Sequence, residues 1–136
     1  MSKVSKDMIE KMITIALDAR KNAYNPYYKT YVGACVMDDQ ENLYAGCNVG
    51  NAVGLLDSCA EAIAFGHAIA RGAKSFQAIA IVGFETDLIT PCGACRQRIA
   101  ELAPKALIIC ANAKSEYQVY QLEQLLPHRF ELQTKA

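Results

Sequence analysis

Hydrophobic residues recur at Ile9, Met12, Ile13, Ala16 and Ala19, and this spacing predicts an amphipathic helix over residues 5–21, capped by Ser5. Asn25, Pro26 and the tyrosines that follow break the period. Residues 31–37 and 43–49 then read as two strands around the polar turn at 38–42, which makes a hairpin. Beyond a loop marked by Gly50 and Gly54, a second helix is expected over residues 58–71, stopped by Gly72. The unbroken apolar run at 76–82 has the character of a buried strand. Pro91 opens a third helix near Cys92, Pro104 closes it, and 106–110 is another apolar strand, so strand, helix and strand make one parallel crossover unit. The tail offers a segment at 117–120 and a short helical stretch at 122–126 ending at Pro127. The expected fold class is α/β, a mixed sheet covered by helices, without internal repeats, linkers or low-complexity segments.

At 136 residues and 52% hydrophobic content the chain can close one sizeable core but is too short for two ordinary domains, so residues 1–136 are expected to form a single domain. Fourteen basic residues balance fourteen acidic ones, and no run of Lys or Arg makes a phosphate-binding stripe. Lys3, Lys6 and Lys11 on the first helix are interspersed with Asp7, Glu10 and Asp18, a solvated face rather than a nucleic-acid surface. Small uncharged substrates fit this balance better than polynucleotides. The opening MSKVSKDMIE lacks the apolar stretch of a signal peptide, and no apolar run is long enough to span a bilayer, so a cytosolic protein is expected. Six cysteines in a reducing compartment call for metal binding, catalysis or core packing rather than disulfides.

Pro91-Cys92-Gly93-Ala94-Cys95 sets two thiols three residues apart where a helix begins, so both sulfurs can face one ion while helix-terminal amides favour thiolates. Taken alone, the pair is equally compatible with a redox couple, structural zinc or catalytic zinc. Cys59, 33 residues upstream, also stands at an expected helix start, and Glu61 follows two positions later. Two thiol-bearing helix starts can converge on one ion at a common sheet edge. His67 lies about 12 Å further along the same helix at 1.5 Å per residue and cannot share that ion. His128 sits in the tail, and Cys35, Cys47 and Cys110 fall within strand patterns as small apolar core residues. Three ligands leave a position open, as in catalytic rather than structural zinc sites. Glu61 has two readings: with Ser58 it completes a capping box, and one helical turn from a metal ligand it can take a proton from water and pass it on.

Cys59-Ala60-Glu61 together with Pro91-Cys92-Gly93-Ala94-Cys95-Arg96-Gln97 resembles the small, homotetrameric, all-cysteine cytidine deaminases. The resemblance runs through Asn25-Pro26-Tyr27, Val32-Gly33-Ala34, Gly46-Cys47-Asn48-Val49 and Leu125-Leu126-Pro127 to Phe130. It implies a three-layer α-β-α fold with about five strands and one Zn2+ per subunit held by Cys59, Cys92 and Cys95. It also implies hydrolytic attack at C4 of an aminopyrimidine, with Glu61 protonating N3 and then the leaving ammonia. By the same resemblance Asn48, Gly50 and Ala60 contact a nucleoside substrate, Asn48 through its sugar. Phe130 reaches a neighbouring subunit's pocket in a homotetramer with shared active sites. No nucleic-acid or membrane partner is implied.

The substrate pocket departs from the family pattern. The sugar-binding Glu two residues after the Asn is Gly50, which costs a buried hydroxyl its acceptor, about 1 to 3 kcal/mol. The aromatic two residues before Val-Gly-Ala is Thr30, with Tyr31 beside it, and the usual loop tyrosine is Gly54. The Arg that usually follows Cys-Ala-Glu is Ala62, so compensation for three thiolates is expected from Arg96 or from the helix amino termini. Blasticidin-S deaminases resemble this chain in lacking both that Arg and that Glu. Asp57 has two readings, a partner for a cationic substrate or a solvated loop charge. Three functions are therefore carried forward: a cytidine or deoxycytidine deaminase, a deaminase of a modified or antibiotic aminopyrimidine nucleoside such as blasticidin S, and a non-enzymatic zinc-stabilised module. Nucleotides are disfavoured, because no phosphate-cradling glycine loop or basic cluster accompanies the site.

Overall fold

The computed structural model describes residues 4–133; Lys3 lies outside them. Ser5, in extended conformation, accepts a hydrogen bond from the Met8 amide at 3.1 Å and so starts helix α1 (Lys6–Arg20), as the spacing predicts. Strands β1 (Gly33–Asp38) and β2 (Leu43–Cys47) form the expected antiparallel hairpin. Both are shorter than expected, for a physical reason. The Asn48 side chain accepts from the Val32 amide at 2.8 Å and donates to the Thr30 carbonyl at 2.7 Å, so beyond one backbone bond, from the Asn48 amide to the Val32 carbonyl at 3.2 Å, a side chain staples the residues before Gly33. Val49 has likewise left the hairpin and bridges both Tyr24 and Ser58.

Helix α2 (Ala60–Ala70) starts two residues later than expected and β3 (Phe76–Val82) lies where expected. Helix α3 (Gly93–Leu102), β4 (Leu107–Ala111), β5 (Tyr117–Tyr120) and the single-turn α4 (Leu122–Leu125) follow. The sheet order is β2-β1-β3-β4-β5, with β3 and β4 parallel around α3 and the other neighbours antiparallel. This is the mixed five-stranded sheet the sequence predicts.

Alternation along the strands sorts the core onto two faces. Cys35, Met37, Ala78, Ala80, Val82 and Ile109 pack under α1 with Ile9, Met12, Ile13 and Ala16. Ala34, Val36, Ile79, Ile81, Ile108 and Cys110 face the other side, under Ala64, Phe65 and Ala68 of α2 and Ile99 of α3. Helices cover both faces, which is why the inner strands read as continuous apolar runs rather than alternating ones. Helix α2 lies directly on the hairpin: a Cβ on Gly46 would stand 2.6 Å from the Ala60 carbonyl oxygen, so only glycine lets the start of α2 approach this closely.

The register fixes where the functional end lies. Gly33 pairs with both Cys47 and Val82, and Val82 pairs with Ala111, so the carboxyl ends of β2, β3 and β4 share one edge. Helix α2 follows β2 and α3 follows β3, which brings both helix starts to that edge, the usual place for a site in an α/β sheet.

Candidate metal centre

Cys59 is the N-cap of α2 and Cys92 the N-cap of α3, both in extended conformation. Neither cap side chain bonds its own helix, so the thiols are free for another use. Cys95, in the first turn of α3, is buried, Cys59 is half-buried and Cys92 exposed. Their sulfurs lie within 4.8 Å of one another. A tetrahedral ion with Zn–S bonds of about 2.3 Å holds its sulfurs about 3.8 Å apart, so closing the set requires shifts of at most about 1 Å. Three thiols and no fourth ligand, among the described residues, fit a zinc ion with one open position. His67 is placed elsewhere, its Nδ1 3.0 Å from the Ala45 carbonyl oxygen and its ring edge-on to Tyr44.

Cys59 and Cys95 share a proton. The hydrogen bond with Cys95 draws the Cys59 thiol down to about 6 against the penalty of burial, while the same bond and burial push Cys95 upward. The bond thus favours the thiolate on Cys59 and the proton on Cys95. Cys35 and Cys110, by contrast, are pushed up to about 12 by burial, as expected of inert core thiols. Cys47, expected in the core with them, ends β2 only half-buried.

Glu61 is buried at 5% exposure in the first turn of α2. Burial raises its pKa, opposed by hydrogen bonds from its own backbone and from Cys95 and by the charge of Arg98. The capping-box alternative fails, because the Ser58 amide donates to the Val49 carbonyl at 2.9 Å and Cys59, not Ser58, caps the helix. The carboxyl group is thus held beside the thiols.

A cavity of about 350 Å3 opens onto the centre, bordered by Asn48, Gly50, Ala60, Glu61, Cys59 and Cys92. Of the residues the resemblance assigns to substrate, three border it; Phe130 lies outside it, 69% exposed, with its carbonyl accepting from Gln97 at 3.4 Å. Asn48 spends its amide on Val32 and Thr30 and so also shapes the wall. At Gly50 a Cβ would come 2.7 Å from Asn25 Oδ1, so the Asn25 side chain occupies the room a larger residue would need. Tyr28 lines the cavity and brings its hydroxyl 3.5 Å from where a Gly54 Cβ would be, supplying an aromatic that Thr30 and Gly54 do not.

Two residues do more at the site than the sequence suggests. Asn25, expected only to break the helical period and to belong to the Asn-Pro-Tyr motif, holds the turn that walls the cavity: it accepts from the Tyr28 amide and donates to the Thr30 carbonyl. Arg98 donates to Cys95 Sγ at 3.4 Å; its position three residues after a ligand, on the same helix face, was the available signal. Arg96, expected to offset the thiolates, is instead tied to the Pro91 and Leu125 carbonyls at 2.7 and 2.6 Å and to Thr90 Oγ1 at 3.3 Å. It clamps the loop before α3 and touches none of the sulfurs.

A mixed sheet that presents three thiols and a buried carboxyl at two adjacent helix starts, over a nucleoside-sized cavity, defines the zinc-dependent deaminase class. Residues 6–111 match the family model of the cytidine and deoxycytidylate deaminase zinc-binding region, and the chain belongs to this family. It is 37% identical to a cytidine deaminase of Sporosarcina psychrophila over 90% of each chain. A solved cytidine deaminase of Burkholderia pseudomallei superposes with a TM-score of 0.85 at 37% identity, covering 93% of this chain and all of that one. A blasticidin-S deaminase of Bacillus cereus is 28% identical over 75% of this chain and 78% of its own length.

Proposed function

We propose that this protein hydrolyses the exocyclic amine of cytidine or 2'-deoxycytidine, giving the uridine product and ammonia. Cys59, Cys92 and Cys95 hold one zinc ion, which when bound supplies the Lewis acidity that lets water act as a nucleophile near neutral pH. Glu61 would take a proton from the attacking water and deliver it to N3 of the ring, then take the proton of the new hydroxyl on C4 and give it to the departing amine as the C4–N bond breaks and the C4 carbonyl forms. The observation that carries this reading is the buried Glu61 carboxyl beside three sulfurs with an open side toward the cavity. Burial favours the protonated form and so suits a group that must both accept and return a proton. A structural zinc module has no use for such a carboxyl.

The cavity wall favours a free nucleoside. Asp57 and Glu61 are its carboxyl groups, and no Lys or Arg among the described residues borders it. A 5'-phosphate would meet an acidic surface with no cation to pair it. Asp57 Oδ1 accepts from the Asn51 amide at 2.6 Å, which fixes the carboxylate and leaves its second oxygen to accept from a sugar hydroxyl. Asn48, Gly50 and Ala60 shape the remaining substrate wall. The one covered sheet supports reading the whole chain as a single deaminase domain, and no helix among the described residues is long and apolar enough to cross a membrane. We place the enzyme in the cytoplasm as a homotetramer in which Phe130, exposed on this chain, completes a neighbour's pocket.

The substrate reading is tested by ammonia release from cytidine, 2'-deoxycytidine, cytidine 5'-monophosphate and blasticidin S under identical conditions. Turnover of the first two with little of the nucleotide is expected. Preference for the nucleotide or for blasticidin S would replace the substrate while leaving the reaction class in place.

A further inference from the structure

We propose that Arg98 is the cation that offsets the negative charge of the three-thiol centre, acting as a positioning residue through its hydrogen bond to Cys95. The inference rests on the zinc reading of that centre. Arg98 stands three residues after Cys95 on α3, so the two side chains share a face, and Nη1 lies 3.4 Å from Sγ. A guanidinium directed at a thiolate is a charge-assisted donor rather than a neutral one. Three thiolates around a divalent ion leave a net charge of minus one, and Glu61 adds a carboxyl beside them. The amino termini of α2 and α3 contribute partial positive charge of about one half each, and Ala62 contributes none.

Arg96, Arg20 and Arg129 are committed elsewhere. Arg96 is spent on Pro91, Thr90 and Leu125, Arg20 pairs with Glu85 at 3.0 Å, and Arg129 pairs with Glu123 and Glu131. Among the described residues no carboxylate forms an ion pair with Arg98, so its charge is available to the sulfur. Drawing electron density from Cys95 leaves a bound ion more electron-poor and the centre a stronger Lewis acid, the kind of tuning that partners of metal ligands exert.

Cobalt substitution gives a readout separate from activity. Co2+-loaded parent protein should show thiolate-to-cobalt charge-transfer absorption in the near ultraviolet. In Arg98→Gln that band should move to longer wavelength, because an uncompensated thiolate is more easily ionised, and kcat of the zinc form should fall about ten- to a hundredfold with KM nearly unchanged. Arg98→Lys, which keeps the charge but not the planar donor, should recover part of both effects and carries the test if Arg98→Gln folds poorly. An unmoved band with unchanged kcat overturns the proposal alone. So does an unmoved band with altered oligomer size, which would make Arg98 a subunit contact. Absence of any charge-transfer band in the parent overturns the metal reading and this proposal with it.

Discussion

Cys92 and Cys110 are the same side chain in opposite circumstances. Cys110 is fully buried in β4, held protonated by burial and packed under α2 and α3, whereas Cys92 is exposed at the cap of α3 with its sulfur beside two others. Cys92→Ser should therefore lose zinc without losing the fold. Zinc content after dialysis should drop well below one per chain, and the thermal midpoint of the metal-free protein should match the parent's. The rise in midpoint on adding zinc should disappear, because that rise scales with the affinity of the folded state for the ion. Cys110→Ser should do the reverse, retaining zinc and lowering the midpoint through a hydroxyl buried in an apolar layer. Residue type and spacing made the meeting of Cys59, Glu61, Cys92 and Cys95 legible in the sequence, because it depends on what two helix starts place together. Of the two compensations expected, Arg96 or the helix amino termini, the sequence does not reveal that Arg96 is tied elsewhere, nor that Arg98 reaches a sulfur. Which of two nearby arginines reaches a sulfur depends on the backbone carbonyls of Pro91 and Leu125, which no local pattern reveals.

At the scale of elements, the hairpin that positions α2 turns on Asp38. Its carboxylate accepts from the Gln40 and Asn42 amides at 2.9 and 2.8 Å, the Asn42 side chain at 3.2 Å and the Tyr44 hydroxyl at 3.0 Å. Burial alone would raise its pKa; the bonds from Asn42, Gln40 and Tyr44 together bring it below the usual value. A carboxyl depressed in the folded state stabilises the protein above its unfolded value of about 3.9 and loses that contribution as pH falls through the lower folded value. Urea unfolding should accordingly show a gap between parent and Asp38→Asn that is constant at neutral pH and narrows below about pH 4. A gap that widens in acid would mean the carboxylate is not what the turn uses. The helices and inner strands were legible because their periods are long and regular. The larger boundary shifts lie where contacts from outside the element take over, the Asn48 side chain before β1 and the backbone bridge between Val49 and Ser58 before α2.

For the molecule as a whole, the sheet register brings the two helix starts to one edge and so converts separate sequence motifs into one centre. Tyr27, Tyr28, Val53, Leu55, Leu56 and Phe130 remain exposed on the chain, with Leu55 92% accessible. Exposed apolar side chains of this kind are what the proposed tetramer would cover. Light scattering should give four times the 14.9 kDa chain mass, and Phe130→Ala should raise KM more than it lowers kcat. A monomeric, fully active protein would contradict the shared-pocket assembly. The central claim, that one chain joins a three-thiol zinc centre to a proton-moving Glu61, is tested most directly by ammonia release from cytidine by zinc-loaded parent and Glu61→Ala proteins, with zinc measured in both. The account predicts equal zinc content and a loss of turnover on the order of a hundredfold or more in the variant. Undiminished turnover in a zinc-replete Glu61→Ala protein would contradict it.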